Sequence, residues 1–375
     1  MANDKDRLWI VTELFPPDET STSYIMGKIA NAMVQKYSVG VICGPKVYDK
    51  RRIIDENNKF KLDKSIELYR AKGTGLDKNL TLGKAMSLVT MSKRIMALVR
   101  KNVHQGDKVL MVTNPAPLVV MISRFKKKVD FELNILVHDI FPENTIPAGI
   151  KLPLYGLTKR LFDIAYARAD QLIALGRDMA KVLENKVKTA KAGHPRISII
   201  ENWADTNGIT PQPFPKDKII LQYAGNIGRV QALDKVINKL SPGIELHIYG
   251  TGALEDRLKN MHNPQVFFYG PYLRSQQNEV LAHCTIALVS LHEGMYGLGT
   301  PSKAYNILAS GRPILFLGPK DSEIDLMVKE NGIGYCEWPS IWDLDKLTAM
   351  GARARNVAER KYSEDIILQK FCDVI

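Results

Sequence analysis

An alternation of short apolar runs with amphipathic segments fills most of this chain and constrains its fold more than any other feature. The run Leu8 to Leu14 ends at Phe15-Pro16-Pro17-Asp18. An amphipathic segment from Tyr24 to Lys36 follows and leads directly into a second apolar run, Ser38 to Cys43. A strand, loop, helix and strand in this order open a parallel, doubly wound α/β sheet. Ligands of such sheets bind at the carboxyl ends of the strands.

The alternation starts again after a Pro- and Asn-rich segment, Thr206 to Lys218, which lacks helix and strand patterns. We therefore predict two α/β domains, residues 1–205 and 206–375, each long enough to bury its own core. Small hydroxyl residues, Thr20 to Ser23, stand where a dinucleotide-binding domain has its first glycines. A nicotinamide-dependent dehydrogenase is therefore disfavoured.

Composition excludes several classes of protein. No run of eighteen apolar residues occurs, so no transmembrane helix is predicted, and the N-terminal residues enter a strand at once, unlike a signal peptide. The four cysteines are far apart and the chain has no metal-ligand cluster, so we expect a reduced, cytoplasmic protein without a metal. These cysteines are Cys43, Cys284, Cys336 and Cys372.

The charge is unevenly distributed along the chain. Residues 1–200 carry 34 Lys and Arg against 20 Asp and Glu, a net charge of +14, and the remainder has a net charge of −2. We predict attraction to an anionic membrane surface rather than to nucleic acid, although a basic surface can also serve solubility alone. The basic helix Leu82 to Val103 and the cluster Arg124 to Lys128 belong to this half. In that helix we expect an apolar core-facing stripe that consists of Met86, Val89, Ile95, Met96 and Val99.

Three polar residues, His138, Asp139 and Glu143, follow the predicted strand Phe131 to Val137. They come where a doubly wound sheet places its chemistry, which makes them candidate catalytic residues. The ordinary alternative is an Asp that caps the next segment and a Glu on the surface.

Three glycine-containing loops of the second half, 225–229, 250–252 and 294–299, each follow a predicted strand and precede a predicted helix. One such loop is weak evidence for a site. On one sheet, their backbone N–H groups together can hold a diphosphate, with Arg229 and Lys303 as compensating cations.

A series of motifs in a fixed order gives these observations a family context. In chain order they are Phe15-Pro16-Pro17-Asp18, Asn114-Pro115-Ala116-Pro117, His138-Asp139-Ile140-Phe141-Pro142-Glu143, Asn202-Trp203-Ala204-Asp205, Tyr223-Ala224-Gly225-Asn226-Ile227-Gly228, Tyr249-Gly250-Thr251-Gly252 and Pro301-Ser302-Lys303-Ala304-Tyr305. Over nearly its whole length the chain resembles the retaining glycosyltransferases of family 4, which have the GT-B fold of two Rossmann-like domains facing across a cleft. It is most similar to bacterial capsule, O-antigen and colanic-acid transferases of the N-acetylfucosamine or fucose type.

The resemblance implies a role for each matched position. The nucleotide-sugar donor would lie on the second domain, with the last helix able to cross back to the first. The implied donor-binding residues are Gly225, Asn226, Gly228, Arg229, Gly250, Gly252, Gly270, Tyr272, Glu293, Ser302, Lys303 and Asn306. Asp139 would face the sugar from the first domain, as a positioning group or proton acceptor, beside His138 and Glu143.

The chain departs from the family pattern at one place. Many family members have a Glu–x7–Glu pair whose second Glu meets the donor ribose. Here Asn306 occupies that position, and Leu298 occupies the position of the first Glu. Glu293, thirteen residues before Asn306, could replace the first Glu only in a differently shaped loop.

The expected function is transfer of a sugar from a nucleotide diphosphate, UDP by expectation, to a polyprenyl-diphosphate-linked saccharide. The reaction would retain the anomeric configuration and need neither metal nor cofactor. The protein would associate peripherally with the inner face of the plasma membrane. Two alternatives stay open: a GT-B sugar-nucleotide 2-epimerase, and a non-catalytic sugar- or lipid-phosphate-binding component of a polysaccharide assembly complex.

Overall fold

Two parallel sheets, each the centre of one α/β domain, organise the computed structural model. It describes residues 5–18, 20–46, 60–73, 81–215 and 218–375, without the side chains of residues 81–85. The predicted architecture of two doubly wound parallel sheets is confirmed. The predicted boundary at 205/206 falls between the last strand of the first sheet and the first strand of the second.

The first sheet has seven strands within the described ranges, in the order β3-β2-β1-β4-β5-β6-β7. They are β1 (Arg7–Thr12), β2 (Ser38–Cys43), β3 (Glu67–Arg70), β4 (Lys108–Val112), β5 (Glu132–Val137), β6 (Gln171–Ala174) and β7 (Arg196–Ile199). The α-helices of this domain are α1 (Ser21–Met33), α2 (Thr81–Asn102), α3 (Ala116–Lys126), α4 (Tyr155–Ala167) and α5 (Arg177–Ala190). The strand order reverses between β1 and β4, where such sheets form their ligand crevice.

The second sheet has six strands in the described part, in the order β10-β9-β8-β11-β12-β13. They are β8 (Ile219–Ala224), β9 (Ile244–Tyr249), β10 (Val266–Gly270), β11 (Ile286–Ser290), β12 (Ile314–Leu317) and β13 (Gly334–Tyr335). The α-helices of this half are α6 (Leu233–Ile237), α7 (Glu255–Lys259), α8 (Gln277–Ala282), α9 (Lys303–Ala309), α10 (Glu323–Asn331), α11 (Leu344–Lys361) and α12 (Glu364–Val374). Here the order reverses between β8 and β11, which places the loops after these strands at the crevice.

The final helix, α12, packs on the first domain. Lys28 Nζ lies 2.8 Å from Glu364 Oε1, and the Tyr37 hydroxyl donates to the Ile375 carbonyl at 2.7 Å. The chain therefore passes between the domains twice, once before β8 and once before α12.

The expected core-facing stripe of α2 is only partly correct. Ile95, Met96 and Val99 are buried, whereas Met86 is 53% exposed and Val89 is 40% exposed. At about 100° per residue, both lie roughly 140–160° around the helix from buried Met91, so they point away from the core. None of the helices in the described ranges has the length and apolar character needed to span a bilayer.

Two glycines have positive φ angles, but a side chain would overlap neighbouring backbone at only one of them. Substituting each by Ala therefore separates the free-energy cost of overlap from the cost of the left-handed conformation. A Cβ atom at Gly250 (φ +131°) would lie 2.0 Å from the Gly225 carbonyl oxygen, whereas one at Gly243 (φ +84°) would have no neighbour within 4 Å. We expect Gly243→Ala to cost about 1 kcal/mol and Gly250→Ala about 2 kcal/mol more, because only the second variant must displace backbone. Urea unfolding measures both. Equal free energies of unfolding for the two variants would contradict the packing seen here.

Candidate active site

The carboxyl ends of the two sheets face each other across a cavity of about 430 Å³. From the first domain it is lined by Ser21, Thr22, Tyr24, Ile25, His138, Asp139, Leu175, Asn202 and Trp203. From the second it is lined by residues that include Tyr223, Gly225, Asn226, Tyr272, Arg274, Ser302, Lys303 and Asn306. Both domains thus contribute polar side chains to one interdomain cavity, the usual kind of place for a ligand site.

Direct contacts between the domains fix the floor of this cavity. Asp139 and Gly299 form an antiparallel bridge, and the Ile140 N–H donates to the Leu298 carbonyl at 2.9 Å. A second contact between the domains joins α5 to α10, where Arg177 Nη2 donates to Glu323 Oε1 at 3.0 Å. Because Asp139 is itself part of the bridge, its position relative to the second domain is set by backbone geometry.

His138 follows β5 directly and lies in the cavity wall. Its Nδ1 is 3.4 Å from Thr22 Oγ1 on α1, and its Nε2 is buried without a hydrogen-bond partner. Burial lowers the pKa of His138 to about 4. The imidazole is therefore neutral at pH 7 and can exchange a hydrogen bond, but not a charge, with a bound ligand.

Asp139 opens into the cleft from the same turn, and its backbone N–H donates to Thr113 Oγ1 at 3.3 Å. Its side chain is accessible from the cleft, yet protein surrounds the cleft on both sides. This enclosure raises the pKa of Asp139 to about 6. A carboxylate with a pKa near that value is mostly ionised at pH 7 and remains basic enough to accept a proton.

Glu143, the third residue expected here, does not line the cavity. Its Oε1 lies 2.5 Å from Nζ of the buried Lys186 and 3.3 Å from Nζ of Lys159. The same two lysines pair with the buried Asp163. This placement in an ion-pair network inside the first domain fits a structural role for Glu143 rather than the expected catalytic one.

Lys303, at the start of α9, has a buried side-chain amine without a hydrogen-bond partner. Its Nζ lies 3.5 Å from the centroid of the Tyr223 ring. Burial lowers the pKa of Lys303 to about 7. A buried ammonium without a counter-ion is costly, so an anion in the cavity would restore its charge.

The loop glycines differ in what they do. Gly225 lines the cavity at φ +144°, where an added Cβ would lie 3.0 Å from Lys303 Nζ. Gly250 and Gly252 lie behind it, and a Cβ at Gly252 would be 2.2 Å from the Ile227 carbonyl oxygen. These two glycines permit the close backbone approach that brings Gly225 and Asn226 to the cavity.

The remaining glycines and Arg229 lie around the margin of the site. The Gly228 N–H donates to Gln231 Oε1 at 3.0 Å, and Gly270 adopts φ +75° at the end of β10. Arg229 is exposed, and its Nη1 is 3.9 Å from the Cβ position of Gly149 on the first domain. Arg229 therefore reaches across the mouth of the cleft but does not line the cavity.

The structure separates the two residues at the place where the chain departs from the family pattern. Asn306 lines the cavity, and its Oδ1 accepts a hydrogen bond from the Asp205 N–H at 3.0 Å. Glu293 instead lines a neighbouring depression of about 750 Å³ together with Lys235, Lys239 and Lys320. Glu293 is not brought beside Asn306, so the two do not re-create a paired contact.

Sequence reasoning missed Arg274 and Tyr24. The Arg274 guanidinium carbon lies 3.4 Å from the centroid of the Tyr24 ring, which joins the two domains across the cavity. Arg274 comes two residues after Tyr272, and Tyr24 belongs to the first turns of α1. The only sequence signal for a site role of either residue is its position beside a loop that was already recognised.

No group of three or more His, Cys, Asp and Glu side chains in the described ranges is arranged to hold a metal ion. The positive groups that face or flank the cavity are Lys303, Arg274 and Arg229. Glycine-loop backbone and cations therefore form one wall, and a neutral imidazole and a carboxylate form the other. Such an arrangement can hold an anion against one domain while a proton acceptor faces it from the other.

The sequence of this chain was compared with protein-family models and with the sequences of known proteins. No family model matches the chain. Its sequence is 30% identical to the probable glycosyltransferase WbjE of Pseudomonas aeruginosa, over 97% of this chain and 96% of WbjE.

Three solved structures share the fold at low sequence identity. They are a sucrose-phosphate synthase of Thermosynechococcus elongatus (TM-score 0.76, 12% identity, covering 99% of this chain and 98% of that one), HepE of Anabaena in complex with UDP (TM-score 0.67, 14% identity, 98% and 99%) and WaaG, a glycosyltransferase involved in lipopolysaccharide biosynthesis (TM-score 0.63, 13% identity, 98% and 99%). The likeness covers both domains, and the sequence match to WbjE extends over nearly both chains. This chain belongs to the glycosyltransferases of the GT-B fold that include WbjE.

Proposed function

We propose that this protein transfers a sugar from a UDP-sugar to a hydroxyl of a polyprenyl-diphosphate-linked saccharide during synthesis of a bacterial surface polysaccharide. The observation that carries the proposal is the buried, unpartnered ammonium of Lys303 beside Gly225. WbjE, HepE with its bound UDP and WaaG, with its role in lipopolysaccharide synthesis, support this reading. Membership of family 4 and retention of the anomeric configuration are part of the proposal and rest on the sequence motifs.

The donor diphosphate is assigned to the second domain. Lys303 lies against Gly225, whose loop follows β8 at the strand-order reversal. A diphosphate placed there would meet Lys303 from one side, while Arg229 stands at the cleft mouth. Charge-assisted contacts of this kind are stronger than neutral hydrogen bonds, and they matter most where water is excluded.

The reaction breaks the bond between the anomeric carbon and the β-phosphate oxygen and forms a bond from that carbon to the acceptor oxygen. Negative charge develops on the departing UDP, where the Lys303 ammonium can balance it. The acceptor hydroxyl loses its proton. Asp139 faces the cleft from the opposite wall, and we assign it to positioning the sugar or accepting that proton.

The acceptor is assigned to the basic first domain, at the inner face of the plasma membrane. The cluster Arg124 to Lys128 is a poor membrane contact for this purpose, because it lies at the C-terminal end of α3, away from the cleft. Lys126 is moreover paired with Asp170, with 2.7 Å between Nζ and Oδ2. A contact surface nearer the cleft fits the proposal better.

Removing the Lys303 charge tests the donor assignment. We expect Lys303→Met to weaken UDP binding about ten- to a hundred-fold, since a charge-assisted contact contributes roughly 1.5–3 kcal/mol. Lys218→Met, which removes a half-exposed lysine paired with Glu245, should leave the affinity unchanged. Calorimetry with UDP measures both, with uridine as a ligand that lacks the diphosphate. Unaltered UDP affinity in Lys303→Met would remove the basis of the proposal.

The pKa of Lys303 gives a second test of the same contact. That pKa lies well below the ordinary lysine value of 10.5, so above about pH 7 the free site has lost the proton that a diphosphate would restore. The affinity for UDP-glucose should be constant below pH 7 and should fall as the pH rises above 7. At about pH 8, UDP-glucose, whose diphosphate does not titrate near neutrality, should bind with uptake of roughly one proton.

Calorimetry in buffers with different ionisation enthalpies measures this uptake, and Lys303→Met should abolish it. Uptake of equal size in that variant would assign the proton to another group and remove Lys303 from the diphosphate site.

Metal independence is the third test, because the cations of the site already supply the balancing charge that a divalent ion would provide. Sugar transfer from UDP-sugar to a lipid-linked saccharide should survive an excess of EDTA. Loss of turnover that Mg²⁺ or Mn²⁺ restores would refute metal independence. Conversion of the donor in the absence of any acceptor would favour the 2-epimerase instead.

A further inference from the structure

The stretch from residue 146 to residue 157 exposes more large apolar side chains than any stretch of similar length in the described part of the chain. Its exposed fractions are 60% for Ile146, 49% for Ile150, 76% for Leu154 and 56% for Leu157. Single exposed apolar residues are ordinary on protein surfaces. A group of four within one short segment indicates a surface that meets an apolar partner.

The local backbone groups these side chains in two pairs. Ile146 and Ile150 flank a tight turn in which the Ile150 N–H donates to the Thr145 carbonyl at 2.9 Å. Leu154 is the N-cap residue of α4 and Leu157 lies in the first turn of that helix, so both belong to its N-terminal end.

Leu154 adopts a strained conformation without compensation from its own chain. Its φ of +52° and ψ of +41° are left-handed, which is unfavourable for a leucine. Its side chain is the most exposed of the four, so apolar burial within the chain does not offset this strain. A partner that covers Leu154 would supply the missing apolar contact.

This segment lies at the mouth of the cleft. Arg229 Nη1 of the second domain is 3.9 Å from the Cβ position of Gly149, and Pro147 Cβ is 3.3 Å from that of Gly294. The segment also follows the turn after β5 that carries Asp139. Whatever covers the four apolar side chains is therefore held beside the entrance to the candidate active site.

Two cations accompany the apolar side chains. Lys151 and Arg160 are exposed and form no hydrogen bond or ion pair with any residue in the described ranges. The neighbouring Lys159, by contrast, is held by Asp163, with 2.6 Å between Nζ and Oδ2. Apolar side chains flanked by uncommitted cations are typical of an element that lies in the interface of an anionic bilayer.

We propose that residues 146–160 dock the mouth of the cleft on an anionic lipid bilayer. Ile146, Ile150, Leu154 and Leu157 would enter the acyl region, and Lys151 and Arg160 would meet headgroup phosphates. A second copy of the chain fits less well, because four side chains offer roughly a few hundred Å², whereas a stable interface buries about 800 Å² on each partner. The purpose of this docking rests on the lipid-linked acceptor of the proposed function.

Flotation with lipid vesicles tests the proposal. The variant with Ile146, Ile150, Leu154 and Leu157 all changed to Ser should lose at least about ten-fold of its binding to vesicles of phosphatidylcholine and phosphatidylglycerol. A matched control changes four apolar residues exposed elsewhere, Leu68, Ile199, Ile341 and Ile366, to Ser and should float like the unmodified protein. Affinity for UDP, which belongs to the other domain, should be unchanged in both variants, and an unchanged circular-dichroism spectrum with a cooperative thermal transition shows that the first domain is folded.

Fluorescence gives an independent measurement of insertion. Leu154→Trp should show a blue shift on addition of these vesicles, and Ile341→Trp should not. Equal flotation of the four-serine variant and the unmodified protein, or a Leu154→Trp spectrum that does not change, would overturn the proposal. So would a dimer that only the four-serine variant disrupts while vesicle binding persists. Normal vesicle binding without sugar transfer to a lipid-linked saccharide would count against the proposed function and leave the docking element in place.

Discussion

The site depends on one constraint, the backbone pairing of Asp139 with Gly299 between the two domains. Each sheet delivers its loops to its own carboxyl edge, and the two groups assigned to the chemistry come from different edges, Asp139 from the first and Lys303 from the second. The pairing brings the turn after β5 against the segment that leads into α9, so Asp139 and Lys303 line the same cavity. Lys303 Nζ is buried against Tyr223 and Gly225 of its own domain, where an ammonium without a counter-ion is unfavourable.

The pattern of the sequence predicted the elements well, since strand and helix periodicity are local properties. The run Ser38 to Cys43 is β2 with the same bounds, the predicted strand Phe131 to Val137 is β5 without its first residue, and the helix Leu82 to Val103 is α2 shifted by one residue. The second-domain residues Gly225, Asn226 and Lys303, which the sequence indicates as a diphosphate site, line one cavity, because each follows a strand of one sheet.

What the sequence did not predict depends on long-range contacts. Glu143 is drawn away from the cleft by Lys186, which lies on another helix far along the chain. Glu293 faces a different depression because its loop turns away from Asn306. The stacking of Arg274 on Tyr24 joins residues of two domains, and no periodicity encodes that distance. Met86 and Val89 of α2 are exposed although they are apolar, because apolar character alone does not indicate which helix face packs on the core.

The two passages of the chain between the domains also have a mechanical consequence. They lie side by side, because Ala204 pairs with Ser363 and its N–H donates to the Tyr362 carbonyl at 2.7 Å. Two adjacent covalent connections restrain sliding of one domain over the other, but allow rotation about the line that joins them. Since α12 is fastened to α1, it must travel with the first domain during such a rotation. The two crossings are thus placed as the pivot of a hinge, and the Asp139–Gly299 pairing would have to separate for the cleft to open about it.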